Sequence, residues 1–192
     1  MTELDLKVRN LQIALDVHEP GERAHADRVS VYAVAMGERL GLTDEELCVL
    51  RRAAQLHDIG KMRVPSDLLR RLGALTDDEI ARLRRHAEAA QEVLEDHEEL
   101  AETLPAIRHH HERYDGGGYP DGLIGDEIPQ GARILAVAEA YDVLTAGAVW
   151  REPVGWTEAL ARIGTDAGAQ FDPQVVEALE AVAPLIQPVG QS

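Results

Sequence analysis

The chain has 192 residues, 35 acidic against 19 basic side chains for a formal net charge of −16, and 45% hydrophobic but only 4% aromatic content. A chain this long buries roughly 70% of the surface that it exposes when unfolded, so it needs no disulfide or structural metal merely to fold, and its single cysteine, Cys48, excludes an intramolecular disulfide. The acidity excludes the dense Lys/Arg surface that a nucleic-acid polymer or an anionic membrane requires, and no apolar run reaches the ~20 residues of a membrane span.

The start, Met1-Thr2-Glu3-Leu4-Asp5, has neither a basic region nor an apolar one, so no signal peptide is expected and the setting is read as reducing and cytoplasmic. Apolar positions then recur with helical period, without sustained alternation, which predicts an all-α fold. Leu4, Val8, Leu11 and Leu15 form a first stripe, and Val29, Ala33, Met36 and Leu40 a second that stops at Gly41. Thr43 and Glu46 make a capping box that opens a third helix, running through Leu47, Leu50 and Ala54 to His57 and ending near Gly60. A second box at Thr76 and Glu79 predicts one long helix through Ile80, Leu83, Ala87 and Leu94, and the acidic run over 92–102 reads as a solvated helix face. Pro105 marks a break before a helical stretch ending in His109-His110-His111. Residues 114–129, with five glycines and two prolines, must be loop. Helices resume over about 131–145 and about 156–163, and a last one starts with Asp172 as N-cap and Pro173 at its first position. With no repeat or linker to divide it, the chain is expected to be one domain over 1–192, frayed over 185–192.

Of the eight histidines, five stand where a metal site would use them. His57 and Asp58 are adjacent at a helix end, about 100° apart around its axis, so both can face one cavity. The stretch from Leu56 to Lys61 sets an imidazole, a carboxylate, a helix-ending glycine and an ammonium in six residues. Lys61 has no P-loop character but stands where it can neutralise a substrate phosphate. His110 and His111 run straight into Glu112-Arg113-Tyr114-Asp115-Gly116-Gly117-Gly118-Tyr119-Pro120, whose glycines permit close backbone approach to a ligand. His18 and His97 read as solvated side chains and His109 as a surface or outer residue, while Glu112 either orients a ligating imidazole or closes a helix.

Together these motifs, with His25-Ala26-Asp27-Arg28, His86, the segment from Ala132 to Asp142 and Ala167-Gly168-Ala169-Gln170-Phe171-Asp172-Pro173, resemble the HD-GYP branch of the HD-domain metal-dependent phosphohydrolases. The resemblance covers nearly the whole chain. It implies an HD-domain helical bundle around a buried centre of transition-metal ions, iron or manganese first, with zinc, nickel or magnesium as alternatives. It further implies hydrolysis of cyclic di-GMP to pGpG or GMP, with a water activated by the metals as nucleophile, so that no Ser or Cys nucleophile is needed. Carried over position by position, the ligands would be His25, His57, Asp58, His86, His110, His111 and Glu139, with Asp58 bridging. Lys61 resembles the family's phosphate-contacting lysine, and Gly118, Tyr119 and Pro120 form the turn that names the family, expected to shape the pocket or meet a partner. Imidazoles with a few carboxylates suit such ions on chemical grounds as well.

Three departures from the family pattern stand out. Position 139 is usually Asp and is Glu here, one methylene longer. The trinuclear members carry a glutamate one helical turn before the first histidine, where this chain has Gly21 followed by Glu22, so two metals are expected. The arginine that reaches the substrate phosphate is replaced by Ala148, leaving Arg151 as the nearby basic residue. The enzyme reading therefore has two rivals: a degenerate module that binds metal or nucleotide and acts on a signalling protein such as a diguanylate cyclase, or a phosphohydrolase for another cyclic dinucleotide or nucleotide.

Overall fold

Reciprocal caps open three of the helices. In each, a threonine hydroxyl accepts the backbone N–H three residues on, and the side chain at that position accepts the threonine's own N–H: Thr2 with Asp5, Thr43 with Glu46, Thr76 with Glu79. The first of these boxes, unlike the other two, lay unread in the sequence. The computed structural model describes residues 2–71, 73–147 and 152–186. In chain order they form α1 (Glu3–His18), α2 (Glu22–Arg39), α3 (Asp44–Leu56), a 3-10 turn (Ile59–Arg63), α4 (Ser66–Leu69), α5 (Asp77–Arg84), α6 (His86–Val93), a second 3-10 turn (Glu98–Thr103), α7 (Leu104–His109), a third (Gly125–Glu127), α8 (Gln130–Ala146), α9 (Trp156–Thr165) and α10 (Pro173–Ile186). Beyond an isolated bridge between Ala167 and Phe171, no β-structure occurs among the described residues, as the all-α expectation requires.

α8 is mostly apolar and is enclosed along most of its length, with only Gln130 and Ala146 exposed. Ala132, Ile134, Leu135, Val137, Ala138 and Tyr141 are fully enclosed, with α2, α7, α9 and α10 packed about them. The amphipathic helices contribute their expected stripes to the same core: Val8 and Leu15 from α1, Val29, Ala33 and Met36 from α2, Leu50 and Ala54 from α3. Asp172 caps α10, its carboxylate accepting the Gln174 N–H at 2.8 Å, and the same carboxylate holds Arg133 of α8 at 2.6 Å.

Four expectations are corrected. The single helix predicted from Thr76 through Leu94 is two, α5 and α6, parted at Arg85. The His86 ring takes the Leu83 carbonyl at 2.6 Å, competing with the helical ladder. Gly60 presses on the same point, because a Cβ there would fall 1.9 Å from the His86 carbonyl oxygen. The run over 92–102 is no continuous helix face either: α6 ends at Val93 and the chain turns into a 3-10 segment that buries Leu100 completely. His18 is not a free solvated side chain, since its Nε2 lies 2.9 Å from the Val64 carbonyl and ties the end of α1 to the segment before α4. Fraying does not begin at 185, because α10 continues through Leu185 and Ile186 with Pro184 inside it; residues 187–192 lie outside the described part.

Candidate metal centre

Carbonyls at helix ends lack N–H partners from the ladder, and the histidines use them. His57 caps α3 and its Nδ1 meets the Ala54 carbonyl at 2.8 Å; His110 caps α7 and its Nδ1 meets the Ile107 carbonyl at 2.5 Å; His86 takes the Leu83 carbonyl in the same way. A carbonyl only accepts, so each Nδ1 carries a proton and Nε2 is the ring nitrogen left to face a metal. His25 reaches that state through a side chain: its Nδ1 donates to Asp142 Oδ2 at 2.7 Å, and Asp142 is held in turn by Arg28 at 2.7 and 2.8 Å. Burial pushes the Asp142 carboxyl up, but the bonds from His25 and Arg28 outweigh it and hold the group below its ordinary value. This support of a ligand-type imidazole by a carboxylate is the usual outer arrangement of a metal site. Asp142 closes the segment that carries the resemblance, and its link to His25 spans 117 residues.

All seven residues expected as ligands converge. Ligand atoms lie within 4.8 Å of one another in three overlapping groups: Asp58 with His86, His110 and His111; His25 with His57 and Asp58; His57 with His110 and Glu139. Asp58 joins the first two, its Oδ2 3.2 Å from His57 Nε2 and its Oδ1 3.4 Å from His86 Nε2. His111 Nε2 lies 3.1 Å from His86 Nε2, and its Nδ1 lies 4.0 Å from Glu139. The longer arm of Glu139 therefore still reaches the cluster. The Nε2 of His110 is buried with no hydrogen-bond partner, and that of His57 faces only the Asp58 carboxylate; a buried polar atom left so is costly unless a cation satisfies it. Imidazole nitrogens and carboxylates gathered this closely fit a divalent metal.

The electrostatics follow from this crowding. Burial lowers the His57 imidazole, but the Asp58 carboxylate more than reverses this and, with Glu139, pushes it up to about 9. Burial holds His110 well below the ordinary histidine value, with the neighbouring His111 adding to the effect, and it takes His111, which faces His86, down to about 3. Asp58 stays ionised despite burial because Lys61, His57 and His86 surround it. Lys61 Nζ lies 2.8 Å from Asp58 and 2.8 Å from Glu22, and these two carboxylates raise it against the effect of burial. Glu22 thus stands at the edge of the centre, one residue past the expected place, with one carboxylate oxygen buried and unpartnered.

Two openings flank the cluster, and His111 and Glu139 line both. One, of about 650 Å³, lies against α8 and α9 with Arg113, Ile163, Asp166 and Phe171 in its wall; the other, of about 420 Å³, exposes Asp58, Lys61, Arg84 and Tyr119. Tyr119 stacks on His111 with centroids 4.9 Å apart, so the family turn does shape this wall. The glycine before it serves the protein's own packing rather than a ligand: a Cβ on Gly118 would meet the Arg113 nitrogen at 2.3 Å. Glu112 neither orients an imidazole nor closes a helix. It is buried and accepts the N–H groups of Asp121 and Gly122 at 2.7 and 3.0 Å, fastening the loop after Pro120. His109 works on the same loop, with its Nε2 2.9 Å from Asp121, and His97 is half-buried 3.9 Å from Glu99. Ala148 and Arg151 lie outside the described residues.

A model of the family described as HD domain matches residues 10–175. The chain belongs to the HD-domain family. In fold the chain is similar to the solved HDG"Y"P protein Bd1817 of Bdellovibrio bacteriovorus, with a TM-score of 0.68 at 24% identity over 85% of this chain and 52% of that one. It is 40% identical over 169 residues to the cyclic di-GMP phosphodiesterase response regulator RpfG of Xanthomonas campestris, covering 86% of this chain and 44% of that protein. It is 34% identical over 178 residues to the 3'3'-cGAMP-specific phosphodiesterase 2 of Vibrio cholerae, covering 90% of this chain and 33% of that protein. This HD domain thus spans under half the length of these two relatives. Among the described residues no helix is long and apolar enough to cross a membrane.

Proposed function

We propose that this HD domain is a cytoplasmic, metal-dependent phosphodiesterase that hydrolyses cyclic di-GMP to pGpG or GMP, with His25, His57, Asp58, His86, His110, His111 and Glu139 holding two iron or manganese ions. The observation that carries the reading is the convergence of these seven side chains, with the buried Nε2 of His110 left without a partner, at the meeting point of two openings. The names of the two relatives support the substrate class, a cyclic dinucleotide. Held by these residues, two ions would supply charge to neutralise phosphate and would lower the pKa of a bound water toward ~7. The chain's own side chains do the rest. The Nδ1 contacts fix four imidazoles in one tautomer, Lys61 keeps Asp58 ionised, and Tyr119 walls the cluster from solvent on one side.

The test is product analysis of cyclic di-GMP incubated with anaerobically prepared, manganese- or iron-loaded protein, beside 3'3'-cGAMP and cyclic di-AMP. Linear dinucleotide or GMP from cyclic di-GMP is expected, and loss of turnover with retained metal in Lys61→Ala. A fully loaded protein that cleaves none of the three contradicts the proposal. The replacement of the family's arginine by Ala148 favours slow turnover. An added bidentate phosphate contact, in Ala148→Arg, is expected to raise it by roughly ten- to a hundredfold. Tight saturable binding without turnover in either protein would instead assign the domain to the binding modules that act on a partner such as a diguanylate cyclase.

A further inference from the structure

A cyclic dinucleotide carries two phosphodiester charges, and only one of them can sit at the reacting centre. The second must find a cation in the wall. The opening beside Asp58 offers two among its described lining residues, Lys61 and Arg84. Lys61 is already committed to Asp58 and Glu22, both at 2.8 Å. Arg84, the last residue of α5, is exposed, and its guanidinium lies over the Tyr119 ring at 5.0 Å from the centroid. It makes no ion pair or hydrogen bond with a described residue, in a chain of net charge −16 where Arg28, Arg108, Arg113 and Arg133 are each held by carboxylates.

We infer that Arg84 is a substrate-binding residue that takes the phosphate which is not cleaved. The inference rests on the cyclic-dinucleotide reading of the site. Tyr119 is in contact with His111 of the cluster and also carries Arg84, so the guanidinium is one aromatic ring removed from the imidazoles. That place is outside the centre yet beside it, as a second phosphate on one small ring requires. A guanidinium stacked on an aromatic face is weakly hydrated and pre-oriented, and its planar fork matches two phosphate oxygens.

Steady-state kinetics of manganese-loaded wild type, Arg84→Gln and Arg84→Lys decide the matter, with cyclic di-GMP and with bis(4-nitrophenyl) phosphate, a diester that has no second phosphate. For cyclic di-GMP, KM is expected to rise by about tenfold in Arg84→Gln and less in Arg84→Lys, with kcat within about twofold and unchanged metal content. Cleavage of bis(4-nitrophenyl) phosphate should be the same in all three. An unaltered KM for cyclic di-GMP overturns the inference while leaving the phosphodiesterase reading in place. So does an equal loss on both substrates, which would make Arg84 a mere prop for Tyr119. If the wild type turns over no cyclic di-GMP, the parent reading fails, and calorimetric titration of cyclic di-GMP into wild type and Arg84→Gln decides: about tenfold weaker binding in the variant supports the inference, and equal or absent binding overturns it.

Discussion

Each supporting contact at the centre commits one imidazole nitrogen before any ion binds, and protons decide what binding then costs. His57 is raised to about 9 in the metal-free protein, above an ordinary value of about 6.5. Its pairing with Asp58 therefore stabilises the metal-free fold fully below about pH 6.5 and is lost as the pH rises through about 9. A metal needs the neutral ring, so loading must expel this proton, whereas His110 and His111 are already neutral. Calorimetric titration of manganese in buffers of different ionisation enthalpy should show about one proton released per chain, and affinity rising by about tenfold per pH unit between about 6.5 and 8.5. Flat affinity over that range would contradict the assignment. Asp142→Ala removes the acceptor that orients His25 and the partner of Arg28, and is expected to weaken metal binding by about ten- to a hundredfold. At this scale the histidines were legible because they stand in motifs. Asp142 as the support of His25, Glu22 as the partner of Lys61, and Arg84 were not, since each acts through contacts between elements distant in sequence.

Among the elements, the 3-10 turn from Ile59 to Arg63 and the first turn of α6 lie backbone against backbone at Gly60. Gly60→Ala must move one of them, and with it His86. Such overpacking costs about 1–3 kcal/mol or more, so Tm in thermal melts should fall by several degrees, with metal content reduced as well. A variant of wild-type Tm and full metal content would show that the two segments can part freely. The loop after His111 depends on one carboxylate oxygen, Oε1 of Glu112, which accepts two N–H groups. Glu112→Gln retains an acceptor there, while Glu112→Ala leaves two N–H groups without their partner, so the alanine variant should be the less stable by about 1–3 kcal/mol in urea unfolding. Equal stability of the two would remove Glu112 from this role. Capping boxes at Thr43 and Thr76 were readable because a cap is written within four residues. The break at Arg85 was not, because the pressure of Gly60 and the diversion of the Leu83 carbonyl to a side chain leave no local trace in helical periodicity.

Over the whole molecule, the ligand set is drawn from α2, the end of α3, α6, the end of α7 and α8, so the centre exists only when these elements are packed together. The helical stripes and the largely apolar α8 made the bundle legible, and the HD and HD-GYP motifs located its centre. A bound metal should therefore stabilise the fold by mass action, and its removal by a chelator should lower Tm. Elemental analysis of anaerobically purified protein, with Asp58→Ala beside the wild type, tests the central claim most directly. The account predicts about two transition-metal ions per chain in the wild type and loss of most of them in the variant, because Asp58 joins two of the ligand groups. A folded wild type that carries no metal and takes none up when iron or manganese is supplied would contradict it.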